Sequence, residues 1–301
     1  VAEGRGDPID ALSTEEYEDC RKGLVHLQQL TNIWPSVKRL DGEVVCVGSK
    51  AEVIGVHSEI WKGLWLGEIH VALKVLRGVR ASEGAQNRFL HEIEIWSKLK
   101  HPHIQPFFGV VAKSVLHLRV VSPWRPEGNL LEYICWRTNG ANKGHLLWGA
   151  ASALAYLHDE DIVHGNVLII VQGEALLCDF GMAKLEGDVN GTPAKTITGS
   201  GTSRWLAPEL LIETAPITAA CDTWSFGMTM LELFTMHAPW AERTRDAHVV
   251  QALANGDIPN RPQNIPELTD DVWGLLLECW DRNPGARPSM STVTSRRIQK
   301  E

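Results

Sequence analysis

The stretch from Ile162 to Lys184, IVHGNVLIIVQGEALLCDFGMAK, limits the fold more than any other part of this 301-residue chain. It holds two short apolar runs, 167–171 and 175–178, on either side of Gln172-Gly173. Apolar runs bounded by turn residues form hairpins. A hairpin brings its two ends to one side. His164-Gly165-Asn166 enters this one and Asp179-Phe180-Gly181 leaves it, so the Asn166 amide and the Asp179 carboxylate come within reach of one ion. A small set of oxygen ligands suits Mg²⁺ carried by a phosphate substrate.

The rest of the chain has ordinary globular material, 44% apolar and 22% charged, enough to fill a core. The net charge is −8 and there is no basic cluster, which argues against nucleic-acid binding through a basic face. The longest apolar stretches fall short of the roughly 18 residues that a membrane helix needs, so no membrane span is expected. No charged-then-apolar leader stands at the start. The six cysteines are scattered without a C-x-x-C, which points to buried thiols in a reducing, cytoplasmic setting rather than to structural zinc.

Residues 1–8 read as disordered. Ser13 and Glu16 form a capping-box signal, and Tyr17, Cys20, Leu24, Leu27 and Leu30 recur at helical spacing, so a helix is expected from Thr14 to Leu30. Two roles are open to it: packing on the lobe that follows, or serving as a partner-binding or autoinhibitory element. From Glu43 to Leu76 the pattern is strand-like and punctuated by glycine. Gln86–Lys100 reads as a helix whose apolar side is Phe89, Leu90, Ile93, Trp96 and Leu99, with Glu92 off that stripe. Strands are expected at 105–112 and 115–121, and a helix at 146–158 with Leu147, Ala150, Ala151, Leu154 and Leu157 inward. The run 221–235 is apolar almost all round, the mark of a core helix.

Several of these segments carry short motifs. They are Val-Ala-Leu-Lys at 71–74, His-Pro at 101–102, Asp-Phe-Gly at 179–181, Ala-Pro-Glu at 207–209, CDTWSFG at 221–227 and CWDRNPGARPS at 279–289. In this order they resemble a eukaryotic protein kinase domain of the tyrosine-kinase-like group, over about residues 45–298. The resemblance implies an α+β, two-lobed protein kinase fold: a small β-rich N-lobe with one main helix, and a larger, mainly helical C-lobe. The expected divisions are an N-terminal extension at 1–44, the N-lobe at 45–124 and the C-lobe at 125–301. ATP and Mg²⁺ are the implied cofactors.

The resemblance also assigns residues. Lys74 reaches the phosphates, Glu92 pairs with Lys74, and Asn166 and Asp179 hold Mg²⁺. Ala72 roofs the adenine and Leu168 floors it. Val53, Gly55 and Ser58 occupy the positions of the family's glycine-rich loop, followed by Ile60. With one glycine of three retained, that loop is expected to hold phosphate less tightly. Pro123 and Trp124 form the hinge that meets the adenine edge, although Pro123 supplies no amide donor. Ser122 gates the pocket behind it. Asp222 ties the catalytic loop to its helix, and Glu209 pairs with Arg287. The segment 179–209 offers Thr192, Thr196, Thr198, Ser200, Thr202 and Ser203 as phosphate acceptors. Gly165 stands where many kinases have Arg, which disfavours switching through such a phosphate.

One departure decides the functional reading. The family pattern H-R-D-L-x-x-x-N sets Asn seven positions after His, and its Asp receives the substrate hydroxyl proton. Here Asn166 follows His164 by two, so five residues are missing and the Asp is among them. A positioned base contributes about 10²–10⁴-fold. The hairpin and its metal pair are expected to persist while His164 and its strand shift. Asp159, Glu160 and Asp161 read as solvated turn residues rather than as a substitute base. The leading reading is therefore a nucleotide-binding signalling or scaffolding pseudokinase. An active Ser/Thr kinase that tolerates the deletion is a second reading. A third is a five-residue block lost at a misplaced exon junction. The protein partner or substrate stays open.

Overall fold

The computed structural model describes residues 19–20, 23, 26–27, 39–55, 58–76, 83–112, 118–136, 141–164, 168–180, 184–185, 203–212 and 215–296. Two compact units emerge. One gathers residues up to Gln86 together with Phe107–Trp124, and the other gathers Asn87–Pro106 with residues from Arg125 onward.

The first unit is built on an antiparallel sheet of β1 (Val44–Val47), β2 (Val53–Ile54), β3 (Ser58–Trp65), β4 (Ile69–Leu76), β5 (Gly109–Ala112) and β6 (Leu118–Pro123). The order is β1-β3-β4-β6-β5, with β2 paired to β3. β4 alternates cleanly: Val71 and Leu73 are fully buried, while Ala72 and Lys74 between them are half-buried. Period-2 burial sends alternate side chains to opposite faces. The buried face meets Leu40, Trp65, Leu66, Phe108 and Val121, with the Trp65 and Phe108 rings edge to face at 4.9 Å.

The second unit contains α1 (Glu83–Trp96, from Asn87 on), α2 (Leu130–Trp136), α3 (Lys143–Asp159), α4 (Ala219–Thr235), α5 (Asp246–Asn255), α6 (Asp270–Cys279) and α7 (Met290–Ser295). Two small ladders join them: β7 (Ile162–Val163) with β10 (Lys184–Leu185), and β8 (Leu168–Gln172) with β9 (Glu174–Cys178). The β8–β9 hairpin turns at Gly173, whose φ of +70° suits glycine. α4 is buried without a break from Cys221 to Leu231, as its all-round apolar sequence requires. α3 turns Leu147, Ala150, Ala151, Leu154 and Leu157 fully inward. At Gly149 on that helix a Cβ would stand 2.7 Å from His103 Nδ1, so the close approach depends on glycine. This two-lobed α+β architecture is that of a protein kinase. Among the described residues no helix is long and apolar enough to cross a membrane.

The structure departs from the sequence expectations at four places. In α1 and the turn after it the buried face is Glu92, Ile95, Trp96 and Leu99, while Leu90 is exposed. That set follows the i, i+3, i+4, i+7 rule once Glu92 is counted as an inward residue. The strand expected from Gln105 begins at Gly109. Gln105 spends its N–H on the Leu177 carbonyl at 2.9 Å, and Pro106 has none to give. Ser203, read as a phosphate acceptor, is 1% exposed. Of the helix expected at 14–30, residues 19, 20, 23, 26 and 27 are described and helical, but Cys20 and Leu27 of its stripe are exposed. Residues 1–8 and the hydroxyls from Thr192 to Thr202 lie outside the described residues.

Two anchors hold the segment that precedes α4. Arg287 donates to both carboxylate oxygens of Glu209, at 2.6 and 2.8 Å, and to the carbonyls of Asp281 and Ala220. Its guanidinium also stacks 5.0 Å from the Trp224 ring. Beside this pair, burial and the Glu209 carboxylate push the Cys221 thiol up to about 12. In the second anchor, Trp205 Nε1–H donates to Glu232 on α4 at 3.2 Å. Burial outweighs that bond and raises the Glu232 carboxyl to about 7.

Replacing Arg287 by Met leaves Glu209 without its cation. Breaking a buried pair on one side costs about 3–5 kcal/mol. Urea unfolding should show that loss for Arg287→Met and recover most of it in the double variant Glu209→Leu/Arg287→Met. For Glu232 the sign follows from its raised pKa. The protonated form is the one the fold favours, so its contribution is full below the ordinary carboxylate range and is lost as pH rises through about 7. Glu232→Gln should therefore raise the unfolding temperature at pH 8 and change it little at pH 5.

Candidate nucleotide and phosphate site

In the first unit, strand register decides which side chains share a face. Directly opposed residues of an antiparallel ladder point the same way. Val53 opposes Ile60, Ile60 opposes Lys74, and Lys74 opposes Val120. One row along, Lys62 opposes Ala72 and Ala72 opposes Ser122. Val53, Ile60, Ala72 and Lys74 thus stand together on the sheet face turned away from the core. Ser122 belongs to the same face and is 7% exposed. Pro123 opposes Val71 instead, so its ring lies on the core side and its backbone alone is left for a ligand. The next amide, Trp124 N–H, bonds the His70 carbonyl at 3.2 Å. The turn between β2 and β3 closes with Gly55 N–H donating to the Ser58 carbonyl at 2.8 Å, which sets both residues at its neck.

In the second unit, the carboxylate that ends the hairpin sits in an unusual backbone. Asp179 has φ +66°, the left-handed region that non-glycine residues seldom adopt. Such strain persists only where surroundings fix it, and it gathers at functional sites. Its neighbour Phe180 is fully buried against two rings, His164 at 5.0 Å and Trp96 of α1 at 5.7 Å. Trp96 is itself pinned, its Nε1–H donating to the Gln105 carbonyl at 2.6 Å. Glu92 lies one helical turn before Trp96 on the same inward face, 3% exposed.

His164 is held from its other side. Its backbone N–H donates to Asp222 Oδ2 at 2.7 Å, and the same oxygen receives His158 Nε2 at 3.0 Å. Asp222 is fully buried. The strand leading to His164 pairs with the segment after the hairpin, Val163 opposite Lys184 and Ile162 opposite Leu185. The expected tie of Asp222 to this segment is present, at the His164 amide. The chain then reaches β8 through residues 165–167 alone. Gly165 and Asn166 lie outside the described residues, as does the side chain of Leu168, whose backbone opens β8.

At the far end of the hairpin, Glu127 accepts the Gly173 N–H at 2.6 Å. Near it, Arg125 Nε–H donates to Gln105 Oε1 at 2.9 Å, and burial lowers the Arg125 pKa to about 10. Sequence reasoning missed His158, Gln105 and Glu127. His158 had a readable signal, a histidine in the last turn of α3. Gln105 and Glu127 act through contacts distant in sequence and leave no local pattern. Ala72, Lys74, Ile60 and Val53 are brought onto one face, while Glu92 and Asp179 belong to the second unit.

Known proteins bear on this arrangement. "Probable serine/threonine-protein kinase SIS8" of Arabidopsis thaliana is 28% identical over 86% of this chain and 25% of its own length. "Serine/threonine-protein kinase STY46", also of Arabidopsis thaliana, is 28% identical over 79% of the chain and 41% of its own length. "Tyrosine-protein kinase Src64B" of Drosophila melanogaster is 30% identical over 78% of the chain and 43% of its own length. The chain spans about a quarter to two-fifths of the length of these relatives. The family described as protein tyrosine and serine/threonine kinase matches residues 52–296, and the chain belongs to the protein kinase family.

Proposed function

We propose that this chain binds ATP with Mg²⁺ and transfers phosphate poorly or not at all, acting as a signalling or scaffolding pseudokinase of the tyrosine-kinase-like group in the cytoplasm. Protein kinases in general use ATP and Mg²⁺. In this reading residues 1–44 are an extension, 45–124 the N-lobe and 125–301 the C-lobe. The residues present fit the ligand. Val53, Ile60 and Ala72 give an apolar face for the base, with Gly55 and Ser58 at the neck of the turn beside it. Lys74, on the same face, would supply a cation for the phosphates, and the family resemblance implies Glu92 as its partner. The family resemblance implies that Pro123 and Trp124 would edge the base and that Leu168 would floor it. Asp179, fixed in its left-handed backbone, and Asn166 supply oxygens for the ion.

The observation that carries the reading is the length of the connection after His164. His164 is tied to Asp222 and β8 is tied to β9, so 165–167 must span between two fixed points. Gly165, Asn166 and Val167 contain no carboxylate or imidazole. A substrate hydroxyl would have no general base there, a loss of about 10²–10⁴-fold. Phosphoryl transfer also depends on positioning. A misplacement of about 1 Å can cost about 10²-fold more.

The alternative is an active kinase of Ser/Thr type, with the five residues tolerated or restored in a differently joined transcript. The names of several relatives, such as SIS8 and STY46, support that specificity. The two readings separate in two measurements. The chain should bind a fluorescent ATP analogue with Mg²⁺, and Lys74→Ala should weaken that binding by about 10- to 150-fold, the loss of one charge-assisted hydrogen bond. Labelled ATP–Mg²⁺ should give no phosphate transfer to a generic protein or to the chain itself above the Lys74→Ala background. Transfer that Lys74→Ala abolishes would establish the active kinase instead.

A further inference from the structure

The face that carries Ala72 has a polar neighbour with no part in the reading above. Lys62 on β3 stands directly across from Ala72 on β4, and Ala72 directly across from Ser122 on β6. Two residues after Ser122 comes Trp124, kept in line with β4 by its amide bond to His70. The Lys62 ammonium lies over the Trp124 ring, 5.5 Å from its centre. β3 and β6 flank β4, so their backbones are about 10 Å apart at the usual strand spacing. The two side chains therefore meet above β4, beside Ala72. Ala72 permits this because its methyl group stands low beneath them. Both partners are half-buried. A partly desolvated ammonium over an indole face is held by the ring's charge distribution.

We propose that Lys62 and Trp124 form a clasp across the Ala72 face, and that a purine nucleotide can lie on that face only once the clasp has opened. This rests on the nucleotide reading of the Ala72 face. The contact holds closed the strip of sheet where a flat base would sit. Nucleotide affinity is then lowered by whatever the clasp is worth, since a ligand that needs the minor form binds more weakly by its fractional population. An exposed or partly buried cation–π contact corresponds to about a 2- to 30-fold change in an equilibrium.

The test uses the whole chain and a fluorescent ATP analogue with Mg²⁺. Lys62→Met keeps the length and apolar stem of the side chain and removes its charge. It should bind the analogue about 2- to 30-fold more tightly than wild type. Lys62→Arg, which keeps a cation over the ring, should stay within about 2-fold of wild type. Thermal unfolding of each variant confirms that the comparison is between folded chains. If wild type binds and Lys62→Met binds equally or more weakly, the clasp is overturned and the nucleotide reading stands. If neither chain binds the analogue, the nucleotide reading fails and takes the clasp with it.

Discussion

A fully buried carboxylate, Asp222, is the point on which the second unit depends. A charge removed from water costs several kcal/mol unless donors surround it. Here those donors include the His164 amide and the His158 imidazole, one on either side of β7. His158 stands in the last turn of α3 and His164 follows β7, so the path from α3 toward the hairpin is fixed to α4 at two places. From His164 the constraint passes by packing rather than by charge: its ring meets Phe180, and Phe180 meets Trp96. Asp179, with its left-handed backbone, stands one residue before Phe180 in this stack. The position of the acidic group at the end of the hairpin thus traces back to a carboxylate on another helix.

In the sequence Asn166 follows His164 by two positions, where the pattern H-R-D-L-x-x-x-N has seven. On one side of that junction stands a buried carboxylate that receives His164 and His158, and on the other a hairpin paired from Leu168 to Cys178. Moving either would break bonds that the described residues make.

The first unit was legible in the sequence because period-2 alternation alone sorts a strand's residues onto two faces. Val71-Ala72-Leu73-Lys74 lay in the strand-like stretch, and its alternation sends Val71 and Leu73 to the core and Ala72 and Lys74 to the other face. α4 was readable for a similar reason, since an apolar run of helical length has no outer face to hide. The hairpin 168–178 followed from its turn glycine. Failures came where a polar residue is buried. Glu92 was set aside as off the apolar stripe, yet it belongs to the inward face, and Leu90 was counted inward in its place. Gln105 looked like the start of a strand and is instead a junction bonded to Leu177, Trp96 and Arg125. Burial of a polar group is decided by partners far away in sequence, and no local period records them. The Arg287 pair was found because an acidic residue in an apolar setting asks for a cation, and a family motif named it.

The sheet register carries a consequence for how this protein can change in length. β4 is paired on both sides, with β3 along all eight of its residues and with β6 along five. A single residue gained or lost in it would rotate every later side chain to the opposite face. Lys74 would be driven into the company of Leu40 and Phe108, and Leu73 would be turned out to solvent. One codon inserted at the middle of β4 would thus turn the first unit inside out, while the same insertion in a turn such as the one at Gly67 would leave the register of the sheet intact.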